Sequence, residues 1–137
     1  MLDALDHIAI AVSNLRAAKG LYCGVLGFTH VGYETVAEQG VHVLIVSLGH
    51  LRVELLEPID ANSPVHTFIQ KRGEGIHHLC YRVPDLRAAL AQLTSQGFRL
   101  VDKDPKVGAG GHLIAFVHPK STYGTLIELK QVVGDAH

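Results

Sequence analysis

The sequence predicts an α+β protein made of two tandem βαβββ modules, and three observations predict it. Asp6-His7-Ile8-Ala9-Ile10-Ala11-Val12-Ser13-Asn14-Leu15-Arg16 returns as His77-His78-Leu79-Cys80-Tyr81-Arg82-Val83-Pro84-Asp85-Leu86-Arg87, with His7 on His78, Val12 on Val83 and Arg16 on Arg87. The ends of the halves also match, Val53-Glu54-Leu55 against Ile127-Glu128-Leu129. Between those ends each half reads as one strand, one helix and three further strands. Each half therefore opens on a histidine and closes on a glutamate.

In chain order, His7 to Val12 is a short Ile/Val-rich run that reads as a buried strand. Ser13-Asn14 can cap a helix whose inward face is Leu15, Ala18, Leu21, Tyr22, Val25 and Leu26 at helical spacing, ended by Gly27. Strands follow at Phe28–Thr35, Val41–Leu48 and Leu51–Glu57, with turns at Glu38-Gln39-Gly40 and Gly49-His50, and Pro58 ends the last. Residues 5–58 make the first half. Residues 59–74 have no counterpart and read as a linker with a short helix, Ser63 capping and Pro64 at its first position. The second half, 75–131, repeats the order: strand His78–Val83, helix Asp85–Gln96, and strands Phe98–Asp102, Leu113–Val117 and Thr125–Lys130. Asp104 to Gly111, with three glycines, reads as a hairpin tip or a ligand-approaching loop. Residues 132–137 read as a frayed tail.

With 137 residues, 47% of them hydrophobic, the chain is long enough for a single domain with a real core. A net charge of −1 with acids and bases interspersed leaves no basic stripe for a phosphate backbone, which argues against nucleic acid. No apolar run approaches the roughly 18 residues of a membrane span, and the N-terminus lacks a signal-peptide pattern, so a soluble cytoplasmic protein is expected. Cys23 and Cys80 lack metal or redox spacing and read as free thiols.

A lone histidine at a strand start is ordinarily a hydrogen-bonded structural side chain, and a lone strand glutamate can face solvent. Four such residues at repeat-equivalent places are different, because a buried carboxylate without a partner costs several kcal/mol. If the halves pair about a pseudo-twofold axis, His7, Glu54, His78 and Glu128 converge. Two imidazoles and two carboxylates form a hard-to-borderline set suited to a divalent ion such as Co, Mn, Ni, Zn or Mg, with open coordination positions for substrate.

These features, with Glu38-Gln39-Gly40-Val41, Glu54-Leu55-Leu56-Glu57-Pro58, Gly73-Glu74-Gly75-Ile76-His77-His78, Asp104-Pro105-Lys106-Val107-Gly108 and His118-Pro119-Lys120, resemble the vicinal oxygen chelate (glyoxalase-like) superfamily over almost the whole chain. Within it the sequence is most similar to the methylmalonyl-CoA epimerase family. The resemblance implies a curved mixed sheet around a metal site, with His7, Glu54, His78 and Glu128 as ligands and His77 on the other face. It implies exchange of the C2 proton of an acyl-CoA, with Glu128 as one acid/base group, and a homodimer. Some members hold glutamine at Glu54, so the ligand set here is similar to that of glyoxalase I.

Inversion at C2 needs an acid/base group on each face. Where well-studied members place a second glutamate, this sequence has Val43; His42 would take that place only if the strand register slipped by one, and Glu54 or a water are the other candidates. Lys103, Lys106 and Lys120 are the expected partners of coenzyme A phosphates, with Lys71 and Arg72 also available, and His118 could line the pocket. The competing readings are a glyoxalase I-type lyase and a non-catalytic small-molecule-binding protein of the same fold.

Overall fold

The computed structural model describes residues 1–134. Its elements are β1 (Ala4–Ala11), α1 (Leu15–Lys19), β2 (Thr29–Val36), β3 (Val41–Leu48), β4 (Leu51–Pro58), α2 (Pro64–Arg72), β5 (Gly75–Arg82), α3 (Leu86–Ser95), β6 (Lys106–Val107), β7 (Leu113–Val117) and β8 (Ile127–Gln131). They group into two compact units. Residues 7–77 form one; residues 1–6 and the chain from His78 onward form the other.

In the unit of residues 7–77 the strand order is β2-β3-β4-β1, with β1 and β4 parallel and the other pairs antiparallel. Alternation along the strands sends Leu44, Val46, Val53 and Leu55 to one face, where they pack with Val12, Leu15, Tyr22 and Phe28. The other face carries rungs in register: Ala9, Glu54, Ile45 and Gly32 form one, and Ala11, Leu56, Val43 and Glu34 the next but one.

The first helix departs from expectation. After five α-helical residues the chain widens into a π-helical turn over Gly20–Val25, closed by the Leu26 N–H donating to the Leu21 carbonyl at 2.8 Å. The extra residue in the turn rotates the face that follows it. Tyr22 and Cys23 therefore turn toward the core, whereas Leu21, Val25 and Leu26, expected inward, are 48%, 75% and 52% exposed.

In the other unit β5 lies parallel to β8, β8 antiparallel to β7, and β7 antiparallel to β6. Asp3 joins this unit by donating its N–H to the Arg82 carbonyl at 2.9 Å. Val83, Leu86, Ala89, Leu90, Ala115, Val117 and Leu129 form the core. The strand expected at Phe98–Asp102 shrinks to one bridge, Leu100 to Val117. The Asp102 carboxylate accepts the Phe116 N–H at 2.8 Å, taking the place of a backbone carbonyl, and Pro105 has no N–H to give. Pairing resumes at β6, inside the segment read as a loop, so residues 108–111 are a hairpin tip. A Cβ at Gly108 would sit 2.8 Å from Ile114 Cδ1, so the Ile114 side chain would have to shift.

Each helix start repeats the other. Asn14 accepts from the Ala17 N–H and Asp85 from the Ala88 N–H, both at 3.0 Å. Glu57 accepts from the Leu15 N–H and Gln131 from the Leu86 N–H, both at 2.8 Å. The tail expected to fray is tied at Val133, whose N–H donates to His112 Nδ1 at 3.1 Å; its residues 135–137 lie outside the described residues.

Candidate active site

In the unit of residues 7–77, β1 and β4 run parallel with Ala9 opposite Glu54, and His7 lies two residues earlier on the same face. His7 Nδ1 is 3.3 Å from Glu54 Oε2, both side chains are buried, and Arg52 reaches the same carboxylate oxygen at 3.6 Å. In the other unit Cys80 is opposite Glu128 and His78 is two residues earlier. His78 Nε2 stands 3.0 Å from Glu128 Oε1, again buried. The Phe116 ring, opposite Glu128 on β7, meets the His78 ring edge-on at a centroid distance of 5.2 Å. Lys106 Nζ lies 5.2 Å from the Phe116 centroid and 3.0 Å from the Asp102 carboxylate.

The same buried pair, an imidazole beside a carboxylate, is thus built twice by the same strand logic. A carboxylate is buried at this cost only with a cationic or donor partner. Two neutral imidazoles and two carboxylates are also a donor set that fits a divalent ion preferring nitrogen and oxygen.

The other expected residues divide. Lys106 lies beside Phe116. Lys103 instead lines a groove on the α3 side with Arg87, Leu90, Thr94 and Asp104. Lys120 is exposed in a turn where its N–H donates to His118 Nδ1 at 3.0 Å. That imidazole is held below its usual pKa by partial burial and by the cations of Arg99 and Lys120. His42 does not slip in register: it pairs with Thr35 and Glu57, and its Nδ1 bonds Thr35 Oγ1 at 2.9 Å on the face opposite Glu54. It is removed from the candidate acid/base groups. Val43 faces the Glu54 side, is 2% exposed, and has no proton to exchange.

Sequence reasoning missed the ion-pair cluster behind Glu128. Asp6 is buried, bonded at 2.6 Å to Arg82 Nε and at 3.1 Å to the buried Lys130 Nζ. Partners 124 positions apart leave no local signal. Burial first, then the Glu128 and Asp6 carboxylates, push the Cys80 thiol far up, so it stays protonated and is no nucleophile.

Residues 6–116 match the Glyoxalase/Bleomycin resistance protein/Dioxygenase superfamily. The chain belongs to that superfamily. It is 40% identical to the ethylmalonyl-CoA/methylmalonyl-CoA epimerase of Cereibacter sphaeroides, over 96% of this chain and 100% of that protein. The methylmalonyl-CoA epimerase of Mycobacterium tuberculosis superposes with a TM-score of 0.92 at 36% identity, over 97% of this chain and 90% of that one. A variant of the Streptomyces coelicolor methylmalonyl-CoA epimerase, in complex with 2-nitronate-propionyl-CoA, superposes at 0.93 with 32% identity, over 100% and 99% of the two chains. This superfamily member therefore has the glyoxalase-like fold expected from its repeat. Among the described residues, no helix is long and apolar enough to cross a membrane.

Proposed function

We propose that the chain is a metal-dependent methylmalonyl-CoA epimerase, with His7, Glu54, His78 and Glu128 as the ligands of one divalent ion. The observation that carries the reading is Glu128, a buried carboxylate held by His78 at the end of the repeat. The similarity to epimerases along nearly full length supports it.

The C2 hydrogen of methylmalonyl-CoA is acidified by a carboxylate and a thioester. A divalent ion held by these four residues would supply positive charge to stabilise the negative charge that develops on those oxygens as the proton leaves. Glu128 accepts the C2 proton on one face; His78 orients its carboxylate, and Phe116 screens that side from water. The planar C2 then takes a proton on the opposite face, and inversion is complete. Lys106 meets a phosphate of the coenzyme, with Lys103 and Lys120 as further partners. The chain works as one domain, halves 5–58 and 75–131 joined by 59–74, in a cytoplasmic homodimer. The exposed Leu21, Val25 and Leu26 give a second copy an apolar surface to cover.

The test follows deuterium from heavy water into C2 of methylmalonyl-CoA by proton NMR, alongside the ratio of stereoisomers. Exchange with inversion, abolished by chelator and restored by divalent ion, is expected. Glu128→Gln should keep the ion and lose roughly 10²-fold or more in turnover. A metal-loaded protein that exchanges nothing overturns the reading. Glu54, a carboxylate where some epimerases hold glutamine, favours the glyoxalase I-type lyase as second reading; turnover of the hemithioacetal of glutathione in place of the thioester would establish it.

A further inference from the structure

We infer that Cys80 is a positioning residue for the proton transfer at C2: its thiol donates a hydrogen bond to Glu128 and holds that carboxylate in place. This rests on the epimerase reading above, in which Glu128 is the group that takes the proton.

Cys80 stands directly opposite Glu128 in the parallel ladder of β5 and β8, and Phe116 stands opposite Glu128 on β7. Side chains on one rung share a face, so Glu128 has a sulfur on one flank and an aromatic ring on the other. His78, two residues before Cys80 on that face, brings Nε2 to 3.0 Å from Glu128 Oε1. The Cys80 side chain is fully buried and hydrogen-bonded to the side chain of Glu128. A carboxylate only accepts, so the thiol is the donor. The buried cation next along β8 is committed elsewhere: Lys130, two residues past Glu128, gives its ammonium to Asp6 Oδ2 at 3.1 Å.

The repeat supplies the contrast. At the equivalent rung of residues 7–77, Glu54 stands opposite Ala9, whose methyl group has no proton to give, and the partners of that carboxylate are His7 at 3.3 Å and Arg52 at 3.6 Å. Ala9 and Cys80 are both 0% exposed, so a methyl and a thiol fill the same place in the two copies. Packing alone does not ask for sulfur there. The donor stands opposite the glutamate that moves a proton, and the methyl opposite the one that serves as a ligand.

A thiol also suits the task chemically. It is a weak donor, so it fixes where the carboxylate points while withdrawing less of its charge than a hydroxyl or an ammonium would. A proton acceptor needs both its aim and its charge.

The first measurement needs no turnover. In a Cys23→Ser background Cys80 is the one thiol left in the chain, and its infrared S–H stretch should be lowered and broadened relative to a thiol in hydrocarbon solvent. Glu128→Ala should raise and sharpen the band. A band at the free-thiol position, or one that Glu128→Ala leaves unmoved, overturns the inference. The second measurement is kinetic. Cys80→Ala, which writes the Ala9 solution into the second copy, is expected to keep the bound-ion stoichiometry and a KM within twofold while turnover falls about tenfold. Cys80→Ser keeps a donor on the same rung and should turn over at least threefold faster than Cys80→Ala. Turnover within twofold of the unaltered protein in Cys80→Ala, loss of its bound ion, or a serine variant no faster than the alanine one overturns the positioning role. If the unaltered protein exchanges the C2 hydrogen of neither stereoisomer, it is the epimerase reading that falls, and the infrared band then reports a purely structural hydrogen bond.

Discussion

The two units solve the same problem with different amounts of sheet. Each buries a glutamate beside a histidine two residues ahead of the opposing rung, and each starts its helix with the same side-chain cap and the same strand-end acceptor. Yet residues 7–77 extend past the site with three eight-residue strands, β2, β3 and β4, whereas the other unit has a five-residue β7 and a two-residue β6. Its helix is a regular ten residues, while α1 runs five before widening. What is kept in both is the pair and the strands that aim it; what drifts is the periphery. The drift also makes the surroundings unequal: Ile45 and Glu34 in one unit stand where Phe116 and Lys106 stand in the other.

The largest effect that tests this equivalence is on metal. His7→Ala and His78→Ala should each lower bound divalent ion at least tenfold by elemental analysis, with activity falling in parallel. Full metal content in either variant would mean that the repeat preserves the pair for structure in that unit. A smaller effect separates the units by what lies behind the pair. Asp6→Ala leaves the buried Lys130 uncompensated and should cost about 3 kcal/mol or more in denaturant melts. Arg82→Ala, removing a half-exposed partner of the same carboxylate, should cost under about 1 kcal/mol. Equal losses would show that Lys130 is not the member that matters. The smallest concerns the caps: Asn14→Ala and Asp85→Ala should each cost about 1 kcal/mol. A much smaller loss for Asn14→Ala would show that the widened turn has already uncoupled α1 from the core.

The repeat made the histidines, the glutamates and most strands legible, because strand parity and the spacing between copies are local properties of sequence. The widened turn was not, since Leu21, Val25 and Leu26 fit α-helical spacing and nothing in that pattern distinguishes a rotated face. Phe98–Asp102 reads as a strand because its composition is that of one; only the fold brings the Asp102 carboxylate to the Phe116 N–H and ends the pairing. His42 and Val43 were separable by parity alone. The Asp6–Lys130 pair joins residues 124 positions apart, which no short window contains.

That meeting also bears on how the chain is made. Asp6 is made 124 positions before the lysine that closes on it. Residues 7–77 hold their own ladder and can settle during synthesis, whereas Asp6 must wait for Lys130, and so long a loop is slow to close. β8 brings both Glu128 and Lys130 with it. The carboxylate beside His78 and the lysine that compensates Asp6 thus arrive together on one strand, after residues 7–77 are made.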